Sequence, residues 1–229
     1  MCLGLFMFGF WFFESGMSFL DLSARLAASV VAVIWFLPLH EVAHLWMAGF
    51  IKGNRFNFKS VMLSDFFDPF GAICMILFNY GWAKSFYFSQ SSYSKKEKVL
   101  IALAGPVFNF LSAIFAGFAL NILMLVKAFF LVKLFWISKF LTYILNINVI
   151  LMVFNLIPVP PLDGFKILEA MIPGKYLSRY QKNYVPISIV LTLLMLFGFF
   201  SYPLGILENA VYRTVLLISG LPFVFIKSL

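Results

Sequence analysis

Long apolar runs limit the folds that this chain can adopt. Residues 22–50 and 99–126 are each long enough to cross a bilayer as a helix, and shorter apolar runs follow at 141–157 and 185–200. The chain is 63% hydrophobic, whereas an average soluble domain is roughly 45–50% apolar. Because backbone groups in lipid must pair within helices or closed barrels, we predict an all-α polytopic membrane protein with about 4–6 transmembrane helices.

Four segments depart from this helical pattern. Residues 68–84 contain an apolar stretch too short to cross easily, so we expect a re-entrant or interfacial segment there. Residues 55–59 alternate polar and apolar side chains, which is a weak strand signal. The ends of the chain, 3–13 and 204–229, could each span the membrane or lie in the interface. No internal repeat or linker divides the chain, so we expect a single membrane-embedded domain over residues 1–229.

The first long run contains the only two histidines of the sequence. They stand four residues apart in His40-Glu41-Val42-Ala43-His44, an H-E-x-x-H pattern. On a helix both imidazoles share one face and can bind one metal ion, and Glu41 lies beside them, where it can accept a proton from a metal-bound water. The alternative is two histidines that pack near the headgroups. Ionisable groups in lipid are costly and usually functional, which favours the metal site.

A catalytic zinc site takes three protein ligands, so a third ligand must come from elsewhere in the chain. Asp163 is the strongest candidate, because it follows the apolar run 141–157, which returns to the same interface and then breaks at three prolines. Taken alone, Asp163 could equally be a turn residue that caps the next helix. Asp68 is the main rival, but no returning span presses it against the histidine pair. The ligand interpretation of Asp163 is therefore preferred.

Lysine and arginine are unevenly distributed between the apolar runs. Residues 51–98 contain seven of them and 164–184 contain four, whereas the predicted connection 126–139 contains three. Cytoplasmic loops carry the excess of basic residues, so the two richer segments should face the cytoplasm, together with His44 and Asp163. The formal net charge of +8 then reflects loops at a lipid bilayer and not binding to nucleic acid.

Five short motifs, spread over residues 37–166, resemble those of the site-2 protease family of intramembrane zinc metalloproteases. They are HEVAH at 40–44, DPFG at 68–71, GWAK at 81–84, AGPVFN at 104–109 and NLIPVPPLDG at 155–164. The resemblance is to the compact prokaryotic members without a PDZ domain. It implies a multi-pass protein of the bacterial inner membrane, with the active site toward the cytoplasm and the re-entrant or interfacial segment close to it.

The same resemblance implies one Zn²⁺ per chain, bound by His40, His44 and Asp163, with Glu41 as the catalytic base. The substrate would be a membrane protein or peptide with a transmembrane helix, hydrolysed in or near that helix. A helical substrate must unwind locally to expose its carbonyl groups, and the alternating segment 55–59 could pair with the unwound chain by strand addition.

Two asparagines lie in apolar surroundings, where polar groups need partners. Asn109 is one turn inside the run 99–126, and Asn155 is near the end of the run 141–157. In a peptidase, either side chain could hydrogen-bond the backbone of the substrate or the oxyanion that forms during hydrolysis. We therefore include both as candidate substrate-binding or oxyanion-binding residues.

Three other functions remain open at this point. A non-proteolytic membrane transporter or proton relay could use the His and Glu side chains without zinc or a third ligand. A membrane zinc protease of the prenyl-protein type would use a glutamate as its third ligand, but Glu169 lacks the expected helical motif. An inactive scaffold is disfavoured because Glu41 is intact. The zinc content of the purified protein separates the peptidase from the transporter.

The predicted orientation can be tested by labelling. Single cysteines at Ser92 and Lys175, in a background without Cys2 and Cys74, should be protected from a membrane-impermeant thiol reagent in intact cells and labelled after lysis. Their neighbourhoods carry the excess of basic residues, which the positive-inside rule places in the cytoplasm. Labelling of either position from outside the cell would overturn this orientation.

Overall fold

The described part of the chain is built from helices. The computed structural model describes residues 18–53, 62–84, 93–125, 132–160, 162–172, 190, 194 and 201–227, and no strand occurs among them. The elements are α1 (Phe19–Val31), a π-helical turn (Ala32–Phe36), α2 (Leu37–Ile51), a 3-10 turn (Leu63–Phe66), α3 (Pro69–Phe78), α4 (Lys95–Leu125), α5 (Val132–Asn155), α6 (Asp163–Met171) and α7 (Ser201–Lys227). The prediction of an all-α membrane protein is confirmed.

Three helical stretches in the described ranges are long and apolar enough to cross a membrane. They are Phe19–Ile51, which joins α1, the π turn and α2, then Lys95–Met124 and Phe135–Asn155. These stretches match the first three predicted spans. The fourth predicted span, at 185–200, lies outside the described residues except for positions 190 and 194. The predicted strand and the N-terminal apolar stretch also lie outside them, so the total number of spans stays a prediction.

Helix α4 lies at the centre of the bundle. It packs against α5, α2, α6 and α7, and α1 packs against α5. Small residues let these helices approach closely: Ala24, Ala28 and Ala32 on the first span are fully buried. At Gly117 of α4, a Cβ atom would overlap the Ser219 side chain of α7. Close backbone packing through small residues is the usual way in which membrane helices associate.

The first span contains a π-helical turn directly before α2, which begins at Leu37. The first span stays helical through Pro38, which occupies the first turn of α2. Directly before it, the Leu37 N–H donates to the Ala32 carbonyl oxygen, five residues back instead of four. The wider turn accommodates the missing proline N–H without breaking the span, and such π turns are frequent at functional sites.

The predicted connection between the second and third spans is shorter than expected. Residues 126–139 were expected to form a non-helical link, but α5 begins at Val132. Lys139 lies within the helix, and its Nζ is 2.9 Å from Asp21 Oδ1 at the start of α1. A long lysine side chain can carry its charge to the surface of a helix. Basic residues therefore did not mark the end of the helix here.

The segment 68–84 folds into a short helix and an extended return. Helix α3 has ten residues, too few to cross a bilayer, and Asp68 caps it by accepting a hydrogen bond from the Gly71 N–H at 2.7 Å. The chain then runs back along α3, and the Lys84 N–H donates to the Phe66 carbonyl at 2.8 Å. A Cβ atom on Gly71 would overlap the carbonyl oxygen of Trp82. The return can lie this close only because position 71 is glycine.

This contact predicts the effect of a single methyl group. Gly71→Ala should lower the free energy of unfolding by roughly 1–3 kcal/mol, as expected for overpacking against backbone that cannot easily move. Thermal unfolding in detergent measures it. Gly205→Ala is the matched control, because a Cβ atom at this helical glycine meets nothing within 4 Å. Equal stability of the two variants would contradict the proposed close contact.

Candidate metal centre

Helix α2 carries both histidines on one buried face. His40 and His44 are 5% and 4% exposed, and Glu41, which follows His40, is 7% exposed. The imidazole centroids are 4.8 Å apart, and the rings are nearly perpendicular, at 81°. The i, i+4 spacing predicted this arrangement on one face of a helix. Water-excluded surroundings strengthen every charge interaction within such a site.

Three electron-pair donors converge at one point. Asp163 Oδ2 lies 2.9 Å from His40 Nε2 and 3.1 Å from His44 Nε2, and the two Nε2 atoms are 3.2 Å apart. Ligands placed tetrahedrally around zinc at roughly 2.0–2.2 Å are separated from each other by about 3.3–3.6 Å. The three atoms therefore form one face of a tetrahedron close to this size. The residues fit a four-coordinate metal ion whose last position is open to water.

The second nitrogen of each imidazole shows where its proton lies. His44 Nδ1 is 2.7 Å from the Ile101 carbonyl oxygen, which can only accept, so His44 donates from Nδ1. His40 Nδ1 is 2.5 Å from Asn109 Oδ1, which likewise accepts. In the neutral imidazoles both Nε2 atoms then present lone pairs toward the Asp163 carboxylate. Without a cation these donors would repel one another, so their convergence supports a metal site.

The Asp163 carboxylate is held at both oxygens. Its Oδ2 faces the histidines, while its Oδ1 accepts a hydrogen bond from Lys166 Nζ at 2.8 Å. The residue is 2% exposed. Burial alone would raise the pKa of its carboxyl group. When the imidazoles are protonated and no metal ion lies between them, the charge of His44 and the hydrogen bonds donated by His40 and His44 outweigh burial and hold that pKa well below its ordinary value. The carboxylate is thus ionised at neutral pH, as a metal ligand must be.

The break between α5 and α6 brings Asp163 to the histidines. Asp163 is the first residue of α6, and α6 packs against α4. A Cβ atom on the next residue, Gly164, would overlap the carbonyl groups of Leu156 and Ile157. The proline-rich turn can therefore fold back on the end of α5 only with glycine at this position. The sequence prediction that the broken helix end carries Asp163 toward the motif helix agrees with this geometry.

Gly105 of α4 forms the opposite wall of the site. A Cβ atom at this position would overlap the imidazoles of both His40 and His44. One residue later, Pro106 cannot donate a backbone hydrogen bond, and its ring disturbs the preceding turn. The Ile101 carbonyl, which accepts from His44, lies one turn before Gly105 on the same helix. Glycine at position 105 lets α4 approach the imidazoles, and Ile101 offers His44 a main-chain acceptor.

The remaining predicted site residues fall in two groups. Glu41 is buried next to His40 on α2, and its role as the base stays a prediction. Asn109 is fully buried and contacts His40. Asn155 donates to the Leu151 carbonyl within α5 at 2.9 Å, and no contact with the three ligands is seen. The substrate-binding roles of the two asparagines stay predictions.

Three residues at the centre were not assigned a role from sequence. Lys166 stands three residues after Asp163, a spacing that places two helical side chains on the same face. Asn148 is a polar residue inside an apolar run, which indicates an interhelical partner. Gly105 lies against both imidazoles, and this neighbour could not be named without knowing where the two helices cross. The rival ligand Asp68 caps α3, as described above.

Comparisons with protein families and with curated proteins each find a match for this chain. The sequence profile of Peptidase family M50 matches residues 28–197, a range that contains both histidines, Glu41 and Asp163. A curated relative from Bacillus subtilis (strain 168), named "Putative zinc metalloprotease YwhC", is 32% identical over 152 residues, which cover 63% of this chain and 68% of the relative. No solved structure matches the chain. The chain therefore belongs to peptidase family M50, the site-2 protease family of zinc metalloproteases.

Proposed function

We propose that this protein is an intramembrane zinc endopeptidase that hydrolyses peptide bonds in or near the transmembrane segments of membrane proteins. The observation that carries the proposal is the convergence of His40, His44 and Asp163 within 3.2 Å of one another, buried among apolar helices and next to Glu41. Three ligands with an open fourth position are the hallmark of a catalytic zinc site. The name of the Bacillus subtilis relative supports zinc as the metal.

In this mechanism His40, His44 and Asp163 would hold the metal ion, and Lys166 would orient the Asp163 carboxylate. A bound zinc ion supplies Lewis acidity, which polarises the scissile carbonyl and lowers the pKa of water to about 7. Glu41 accepts the proton of the attacking water as the new C–O bond forms. It then passes that proton to the amine as the C–N bond breaks, so that protons balance over the reaction.

The substrate and its environment follow from where the ligands lie. The histidines belong to one candidate span, and Asp163 begins a helix that follows another. A substrate that reaches them must therefore enter the helical bundle, which favours a membrane protein or peptide with a transmembrane helix that unwinds locally. We place the protein in the bacterial inner membrane with the site toward the cytoplasm, on the distribution of basic residues.

Two alternatives explain less of the site. A transporter or proton relay needs the His and Glu side chains but gives no reason for a third lone pair to converge on the two Nε2 atoms. A zinc protease with a glutamate ligand would require Glu169 at the centre. Among the described residues, the group that could hold a metal is His40, His44 and Asp163.

Two variants separate the role of the base from that of a ligand. Glu41→Gln should keep one zinc per chain and lose cleavage of a transmembrane peptide by roughly 10²–10⁴-fold, because it removes proton transfer alone. Asp163→Ala should lose cleavage and also lower zinc affinity at least 10-fold, since ligand loss exceeds the 10–100-fold typical of outer contacts. Metal analysis and peptide cleavage on purified protein measure both quantities.

Asp68→Ala is the control for Asp163→Ala, because its carboxylate caps α3. It should keep zinc affinity and lose only about 1 kcal/mol of stability, as for other helix caps. If Glu41→Gln cleaves the peptide at the rate of the parent protein, the proposed mechanism is wrong. Loss of zinc by Asp68→Ala but not by Asp163→Ala would mean that the ligand assignment is wrong.

A substitution at Gly105 tests independently whether α4 lies against the two imidazoles. Gly105→Ala should lower zinc affinity by at least about 10-fold, because the new methyl group would displace the His40 and His44 imidazoles from the metal. Competition with a chelator of known affinity measures the change. Gly220→Ala is the matched control, since a Cβ atom there meets nothing within 4 Å. Unchanged zinc affinity in Gly105→Ala would contradict the placement of α4 against the site.

A further inference from the structure

One buried polar side chain near the site has no role in the mechanism above. Asn148 lies in the interior of α5 and is fully buried. Its Oδ1 accepts a hydrogen bond from Asn109 Nδ2 at 3.1 Å, and its Nδ2 donates to the Ile144 carbonyl at 2.9 Å. A polar group buried in lipid is costly unless it is fully paired, so a packing role alone would be served better by leucine.

The hydrogen bonds from α5 to the imidazole have only one consistent direction. The Ile144 carbonyl can only accept, so the NH₂ group of Asn148 must face it. The oxygen of Asn148 then faces Asn109 and receives a bond from the NH₂ group of Asn109. This leaves the Asn109 oxygen directed at His40 Nδ1. A main-chain carbonyl thus sets the orientation of two successive side-chain amides.

The orientation of Asn109 matters because it selects the tautomer of His40. With its oxygen toward the ring, Asn109 accepts from Nδ1–H, and Nε2 keeps the lone pair that binds a metal ion. If the amide were rotated, its NH₂ group would face Nδ1, which would have to accept. The proton of the neutral ring would then lie on Nε2, where it blocks coordination. Nothing in Asn109 itself distinguishes the two orientations.

We propose that Asn148 is a positioning residue that fixes the metal-binding tautomer of His40 through Asn109. The inference rests on the proposed zinc peptidase function, which supplies the metal. His44 needs no such device, because it donates directly to the Ile101 main-chain carbonyl. The two histidines are therefore oriented by different means, one by backbone and one by two linked side chains.

The test removes the acceptor and measures zinc binding on the purified full-length protein. Asn148→Leu should lower Zn²⁺ affinity by about 10–100-fold, the range seen when partners of metal-bound histidines are lost. The carboxyl group of Asn148→Asp, kept protonated by burial, donates to the Ile144 carbonyl in place of the amide and still accepts from Asn109. Zinc affinity should therefore stay within about threefold of the parent, well below that range. Asn121→Leu on α4 is the matched control: its amide donates to the Gly117 and Ser219 carbonyls, away from the site.

A background variant distinguishes orientation of the amide from general packing. The carboxylate introduced by Asn109→Asp can only accept, so it has no wrong orientation toward His40, and it no longer donates to Asn148 Oδ1. In that background, Asn148→Leu should change zinc affinity little. If the loss is instead as large in the Asn109→Asp background as in the parent, Asn148 acts by packing and the proposal is wrong.

Because the chain has only two histidines, the protonation of each imidazole can be followed directly, without an activity assay. In the zinc-loaded protein only two Nδ1–H protons are expected, one on each imidazole, and proton NMR with ¹⁵N-labelled histidine can follow both. Asn148→Leu should shift or broaden the His40 signal, while the His44 signal stays in place as an internal reference. Movement of both signals, or of neither, would contradict the proposal.

The outcomes also separate this inference from the proposed function. If the parent protein does not bind Zn²⁺ tightly, the proposed function fails and the positioning role fails with it. If the parent binds zinc and cleaves its substrate while Asn148→Leu binds zinc equally well, only the positioning role is overturned. Loss of affinity in Asn148→Leu but not in Asn148→Asp or Asn121→Leu supports it.

Discussion

The arrangement of the bundle depends on bringing three lone pairs together where water is scarce. Two imidazole nitrogens and a carboxylate oxygen, each nearly buried, lie within 3.2 Å of one another. In a low-dielectric interior such a group is unfavourable unless a cation joins it. The helices that surround the site can be understood from this requirement: α2 supplies the histidines, α6 supplies the aspartate, and α4 supplies the wall and an acceptor.

Two departures from regular α-helix lie next to the candidate ligands in the chain. The π turn precedes the histidines, and the proline-rich turn between α5 and α6 leads into Asp163. Broken helices expose main-chain groups, which lipid cannot satisfy, so they are tolerated where protein surrounds them. In the regular helix α4, the Ile101 carbonyl is paired with the His44 imidazole. Irregular backbone thus occurs where it positions the candidate ligands.

Different features of this site were accessible from the sequence to different degrees. The helical fold and the shared face of His40 and His44 follow from local rules, namely the length of apolar runs and the periodicity of a helix. Asp163 required only that one span return to the same interface. The contact of Gly105 with both imidazoles could not be derived, because it depends on the depth and angle at which two helices cross. Likewise, Asn109 was recognised as needing a partner, but its partner was expected to be the substrate.

Helix boundaries were less predictable than the site, for a related reason. Lys139 lies within a helix and pairs with Asp21 on another helix, and a contact of this kind cannot be derived from the pattern along one segment. The π turn before Pro38 is a further case, because whether a proline bends a helix or widens its preceding turn depends on the packing of both faces. Local patterns indicated the candidate ligands and base, and long-range packing decides which side chains surround them.

The unequal support of the two histidines has a consequence for how this centre can vary. The acceptor for His44 is a peptide carbonyl, which no substitution of a side chain removes. The acceptor for His40 is the Asn109 amide, whose orientation depends on Asn148. A substitution at either of these two positions therefore changes the support of His40. Substitutions that change metal affinity in natural or engineered versions of this centre should therefore occur mainly around His40. The hydrogen bond that orients His44 should stay the same in all of them.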